Sequence, residues 1–208
     1  MVTVRLADCR ALTGRFAQLL PLLTSKRRET AARIGDTPAG RQCLAAGLLL
    51  AEAFGREACE GMLQGAWGKP YLPGARCFSL SHAGDYAVLA TGDGDLGVDI
   101  ERTGRRNAGA VAERFFHPEE RRFLAAAGDF DRAFTTLWTL KESFLKAEGC
   151  GFSRSPSSFC ILPAGDFSAR MAGESGYFFR RYPAPEGYVL SVCARDGAFP
   201  DQPEWAAL

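Results

Sequence analysis

The chain lacks any paired-cysteine motif, although it holds seven cysteines. Cys9, Cys43, Cys59, Cys77, Cys150, Cys160 and Cys193 are scattered, odd in number and never spaced CxxC. That argues against a disulfide framework or a structural zinc cluster. It favours buried thiols in a reducing compartment, with the cytoplasm as the expected location. An excess of one charge is also missing. Lys plus Arg number 25 and Asp plus Glu 24, for a formal net charge of +1. A nucleic-acid module needs a basic footprint that this balance does not supply. Long apolar runs are absent too. "CLAAGLLLAEAF" (43–54) is interrupted by Glu52 and is too short to span a bilayer, so no membrane association is expected. "MVTVRLADCRALTGRF" carries charges throughout and has no apolar signal-peptide centre. Histidine is scarce, with two in the chain. Ser81 and His82 are adjacent, but no acid completes a nucleophilic triad beside them.

What is present reads as an ordinary globular protein. The 208 residues are 47% apolar and 24% charged, enough for one large domain or two small ones. The patterning predicts a strand at 2–6 and helices near 11–23, over 26–34 and over 38–54, with Pro38 suited to a first turn. "WGKPYLPG" (67–74) reads as a loop, and strands flank Gly84–Asp85. The order then repeats loosely. A strand at 96–101 precedes helices from Asn107, over "HPEERRFLAAAG" and over 129–149, the last ending at Gly149. Short strands follow at 158–162, 167–171, 176–182 and 187–195, the last two joined by a hairpin at "PAPEG". Two similar α+β lobes and a single α+β domain both fit this order.

The stretch "DGDLGVDIERTGRR" (93–106) poses the chemical question. In a strand Leu96, Val98 and Ile100 share one face, and Gly97, Asp99 and Glu101 share the other. Two carboxylates at i and i+2 repel unless a cation lies between them. A solvated strand end and a Mg²⁺ site that also takes phosphate oxygens are both consistent with the pair. Farther on, Trp138, Glu142 and Lys146 recur every four residues and share a helix face. Phe134 and Leu137 direct that face toward the protein body, where charges need partners. Lys69 in "WGKP", Ser81 and His82 in "SLSH", and Arg33 and Arg41 are the candidate phosphate contacts.

"WGKPYLPGARCFSLSHAGDYAVLA", "GVDIE", "RFFHPEE" and "LWTLKESFLKAEGCGF" occur in that order. Together they resemble the 4′-phosphopantetheinyl transferases of the monomeric, surfactin-synthetase-activating type. The resemblance implies an α+β pseudo-dimer of two similar α/β lobes, with coenzyme A in the cleft between them. The expected division is 1–98, contacting the coenzyme A phosphates, and 99–208, carrying the metal carboxylates and the carrier-docking surface. It implies Mg²⁺, or Mn²⁺, on Asp99, Glu101 and Glu142. Glu142 and Lys146 become the catalytic pair, with Glu142 acting as base directly or through water. Arg33, Arg41, Lys69, Ser81, His82 and Lys146 become coenzyme A contacts, while Trp138 and Glu120 support the site. One departure stands out. The family tends to carry a second basic residue before the first long helix, where Thr30 stands here unless Arg27 or Arg28 replaces it.

The implied reaction moves phosphopantetheine from coenzyme A to a serine of an apo acyl or peptidyl carrier protein and releases adenosine 3′,5′-bisphosphate. Polyketide and nonribosomal-peptide carriers of secondary metabolism are the usual partners. Arg114, Phe115, Arg121 and Arg122 in 105–123 are the expected docking residues. A solvated basic helix face over core phenylalanines accounts for them equally well. A non-catalytic coenzyme A or carrier-binding protein and a metal-dependent pyrophosphohydrolase are the alternatives.

Overall fold

The computed structural model describes residues 1–173 and 176–208. The first part holds β1 (Thr3–Asp8), α1 (Phe16–Leu19), α2 (Ser25–Ile34), α3 (Pro38–Phe54) and α4 (Arg56–Glu60). It continues with β2 (Leu63–Gln64), β3 (Pro70–Tyr71), β4 (Cys77–Ala83) and β5 (Tyr86–Gly92). The second holds β6 (Leu96–Arg102), α5 (Ala108–Phe115), α6 (Pro118–Ala125) and α7 (Phe130–Glu148). After these come β7 (Ile161–Pro163), β8 (Ala169–Met171), β9 (Phe178–Tyr182), β10 (Tyr188–Ala194) and β11 (Glu204–Trp205).

Three strands of each main sheet are arranged alike. The first sheet is ordered β11-β1-β5-β4 and the second β6-β10-β9. In each, a strand leads into a long helix, two strands follow, and the last of them lies in the middle, antiparallel to both neighbours. The helices form for local reasons. Thr37 accepts from the Gly40 amide and Pro38 opens α3, while Gly55 at φ 83° ends it. Asp129 accepts from the Arg132 amide to start α7, and Gly149 at φ 67° closes it in the left-handed region.

Three apolar layers result. Leu44 and Leu49 of α3 pack with Phe78 and Leu89 of the first sheet. Val4, Leu6 and Val88 meet Val98, Ile100, Leu190 and Val192 between the two sheets. Leu140 and Phe144 of α7 cover Phe179 and Cys193 on the far side of the second sheet. Each fully buried Leu, Ile or Val contributes about 1.5–3 kcal/mol relative to exposure. β4 and β6 lie side by side in different sheets. Hydroxyls cross this seam: Ser79 Oγ accepts from the Val98 amide at 3.1 Å, and Ser81 Oγ donates to Asp99 at 2.7 Å.

Several expectations shift. The helix expected near 11–23 is a short turn at Cys9–Leu12, then α1, then another turn at Leu20–Leu22. Gly14 at φ 76° breaks its first part, and Pro21 supplies no amide to the last. The strands expected at 158–162 and 167–171 shrink to β7 and β8, and β3 lies inside the expected 67–74 loop. The division expected after residue 98 falls within β6, all of which pairs with β10.

Candidate active site

Gly97 lets the site form. A Cβ there would meet the Ser143 carbonyl and the Ala147 amide, so α7 lies directly on β6 only because residue 97 has none. That approach places Glu142 and Lys146, one turn apart, over Asp99 and Glu101. Lys146 Nζ donates to Asp99 Oδ1 at 2.7 Å, to Ser81 Oγ at 3.0 Å and to the Val98 carbonyl at 3.1 Å. Asp99 is 3% exposed. Its Oδ1 takes both Ser81 and Lys146, while its buried Oδ2 has no hydrogen-bond partner. It is the one buried, unpartnered carboxylate oxygen among the described residues.

Asp99, Glu101 and Glu142 line a single cleft of about 670 Å³ with Ser81, His82, Lys146, Arg27, Arg105 and Trp138. Burial, and then the Asp99 charge, pushes Glu142 up to about 7. The same two causes raise Glu101, and the nearby Arg105, Lys146 and Trp138 partly offset them. Arg105 lies over the Trp138 ring at 4.9 Å. Burial and the neighbouring Lys146 push His82 down. Anionic and cationic groups thus share one partly desolvated space, a setting that suits a phosphate-bearing ligand together with a divalent cation. Among the described residues no three His, Cys, Asp or Glu side chains converge tightly enough to enclose an ion.

Other expected residues lie elsewhere. Lys69 Nζ donates to the Leu96 and Ala147 carbonyls, both at 3.0 Å, and so ties its loop to β6 and α7. It lines a smaller cavity of about 250 Å³ that shares Glu142 and Lys146 with the cleft. Arg41 pairs with Asp36 at 2.7 Å, and Arg33 is exposed on α2. Neither lines the cleft, whereas Arg27 does. Arg27 passes over α3 at Gly47, where a Cβ would strike its stem. Thr30 donates to the Lys26 carbonyl and lines a neighbouring cavity with Arg27.

Glu120 is fully buried, away from the cleft. It accepts from the His117 and Ile161 amides and from Lys141 Nζ, each at 2.8 Å. Lys141 also donates to the Pro156 and Phe159 carbonyls. His117 caps α6 through Nδ1. Phe116 is core, while Phe115 is half-buried and packs edge-on to Trp138 at the cleft wall. Arg114 lies over the Phe115 ring at 5.1 Å, Arg122 pairs with Glu119, and Arg121 is exposed. The sequence names neither Lys141 nor Phe152, which lines the cleft and packs against Phe115, and it gives Arg105 no place in the site. Lys141 precedes Glu142 on α7, about 100° round the helix, and that turn takes it out of the cleft to buried Glu120.

A family model for the 4′-phosphopantetheinyl transferase superfamily matches residues 95–193, from β6 to β10. A 4′-phosphopantetheinyl transferase of Bacillus subtilis is 30% identical over 201 residues, covering 90% of this chain and 89% of that one. The transferase Sfp of Bacillus subtilis strain 168 is 34% identical over 145 residues, 66% of this chain and 63% of its own. An L-aminoadipate-semialdehyde dehydrogenase-phosphopantetheinyl transferase of Mus musculus is 40% identical over 99 residues, 41% of this chain and 32% of its own. The chain belongs to the 4′-phosphopantetheinyl transferase family, with the α+β fold described above.

Proposed function

We propose that this chain transfers 4′-phosphopantetheine from coenzyme A to a serine hydroxyl of an apo acyl or peptidyl carrier protein, with a divalent cation. The observation that carries the reading is Asp99 Oδ2, a buried carboxylate oxygen with no partner in a cleft shared with Glu101 and Glu142. The raised carboxyls of Glu101 and Glu142 are relieved by a cation. Asp99, Glu101 and Glu142 would hold Mg²⁺ or Mn²⁺, which when bound neutralises pyrophosphate charge. Lys146 offers positive charge, and His82 and Arg27 offer donors, to the phosphates. Arg33, Arg41 and Lys69 stand farther back, engaged or exposed, and are the weaker phosphate contacts. The serine oxygen bonds to the β-phosphorus of coenzyme A, and the bond to the bridging oxygen breaks. That electron pair leaves on adenosine 3′,5′-bisphosphate. Glu142, directly or through a water, is the group that would accept the serine proton.

Repeated topology supports two lobes related as a pseudo-dimer, divided before Leu96 so that β6 stays whole. Phe115, with Arg114, Arg121 and Arg122 nearby, offers an apolar and basic rim for a carrier protein. All seven cysteines are free, which suits a reducing cytoplasm, and no described helix is long and apolar enough to cross a membrane. We infer a monomer acting on carriers of secondary-metabolite synthases.

Intact-protein mass spectrometry tests the reading. An apo carrier incubated with coenzyme A, Mg²⁺ and the enzyme is expected to gain one phosphopantetheine. The gain disappears with EDTA and on a carrier whose acceptor serine is alanine. No gain on any acyl or peptidyl carrier, from folded enzyme that binds coenzyme A, would overturn it. Pyrophosphate cleavage without carrier modification would instead favour hydrolysis.

A further inference from the structure

We propose that Ser81 is a positioning residue for the cation: it holds Asp99 by Oδ1 so that Oδ2 is kept for the metal. The inference rests on the reading of Asp99 as a metal ligand. A serine hydroxyl has one hydrogen. At 2.7 Å that hydrogen goes to Asp99 Oδ1, and the oxygen accepts from Lys146 Nζ at 3.0 Å. No hydrogen is left for a phosphate oxygen, so the geometry moves Ser81 from the coenzyme A contacts to the carboxylate.

The two oxygens of Asp99 are treated unequally. Oδ1 takes both donors, and Oδ2 takes none although it is buried. Lys146 alone would not enforce that difference. Its ammonium sits on a flexible stem and would follow either oxygen when the carboxylate turns about its terminal bond. Ser81 is only 8% exposed and is fixed in β4, so its hydroxyl does not follow. The seam contact two residues earlier, Ser79 Oγ to the Val98 amide, sets the spacing that brings Ser81 to Asp99. A strand of the first sheet thereby orients a carboxylate of the second.

The test measures metal binding rather than turnover. Mn²⁺ affinity is read from the free-ion paramagnetic resonance signal, with adenosine 3′,5′-bisphosphate present and no carrier. Ser81→Ala is expected to weaken Mn²⁺ binding about tenfold, the lower end for loss of a hydrogen bond that orients a ligand. Coenzyme A binding in EDTA should stay within about twofold, and Ser81→Thr, which keeps the hydroxyl, should recover most of the Mn²⁺ affinity. Unchanged Mn²⁺ affinity in Ser81→Ala would overturn the inference. So would equal losses in both variants, or a tenfold loss of metal-free coenzyme A binding, which would return Ser81 to the phosphates. Asp99→Asn separates the two layers of argument. If it too binds Mn²⁺ like the parent, the metal-ligand reading itself fails. If it loses Mn²⁺ while Ser81→Ala does not, only the role given to Ser81 fails.

Discussion

His82 is partly exposed at the cleft, yet desolvation of its inner side and the Lys146 charge hold its pKa below the ordinary 6.5. The folded chain therefore favours the neutral ring. Its contribution to stability is present above the ordinary value and is lost as pH falls through the window beneath it. A phosphate beside the ring reverses the sign, because it favours the imidazolium. Binding of adenosine 3′,5′-bisphosphate should take up a proton at this residue and weaken as pH rises past the bound-state pKa. The chain has two histidines, so ring NMR signals are assignable with one His82→Gln variant. The His82 midpoint is expected below 6.5 when free and higher with the nucleotide. A midpoint that ignores the nucleotide would remove His82 from the phosphate contacts. At this scale Asp99, Glu101, Glu142 and Lys146 were legible, because periods of two and four decide which side chains share a face. Arg27 over Arg33 was not, because it depends on a gap at Gly47 in another helix. The setting of Lys69 was hidden for a similar reason: a loop lysine gives no sign that two backbone carbonyls await it.

Between elements, the buried Glu120–Lys141 pair ties α6, α7 and β7 together. Glu120 is 0% exposed and Lys141 1%, and burial pushes the carboxyl up and the amine down. Five short contacts offset that cost, from two amides and two carbonyls besides the pair itself. Removing one partner strands the other charge. Lys141→Met is expected to lose about 3–5 kcal/mol in urea unfolding. The loss has a signed pH dependence. Without Lys141 the Glu120 pKa rises further above its unfolded value, so the protonated form is favoured in the fold. The deficit should then be smaller at pH 5 than at pH 8. A variant as stable as the parent at pH 8 would show the pair to be dispensable. The helices were readable at this scale because caps and apolar periods are local. The segment 11–23 was not, since its break depends on Gly14 adopting a positive φ and on Pro21.

Across the whole molecule, the loosely repeated element order fitted either two lobes or one domain, and the surface that joins the two main sheets was invisible in sequence. Val98 and Ile100 read equally well as the core of one lobe or as an interface. In the fold they do both, lying on β6 of the second sheet and packing against Val4, Leu6 and Val88 of the first. A layer that belongs to both sheets should couple their unfolding. The hydroxyl seam between β4 and β6 adds hydrogen bonds of about 0.5–1.5 kcal/mol each, or somewhat more where the acceptor is charged. That is too little to hold the two sheets together without the apolar layer. Ile100→Ala is therefore expected to cost about 2–5 kcal/mol for the whole chain, not for one half. Calorimetry should show one transition in the parent and one, at lower temperature, in the variant. Hydrogen exchange should report the loss equally in β5 and in β10, which lie in different sheets. If protection fell in β10 alone, or the variant melted in two steps, the two sheets would unfold independently and the shared layer would be a mere contact.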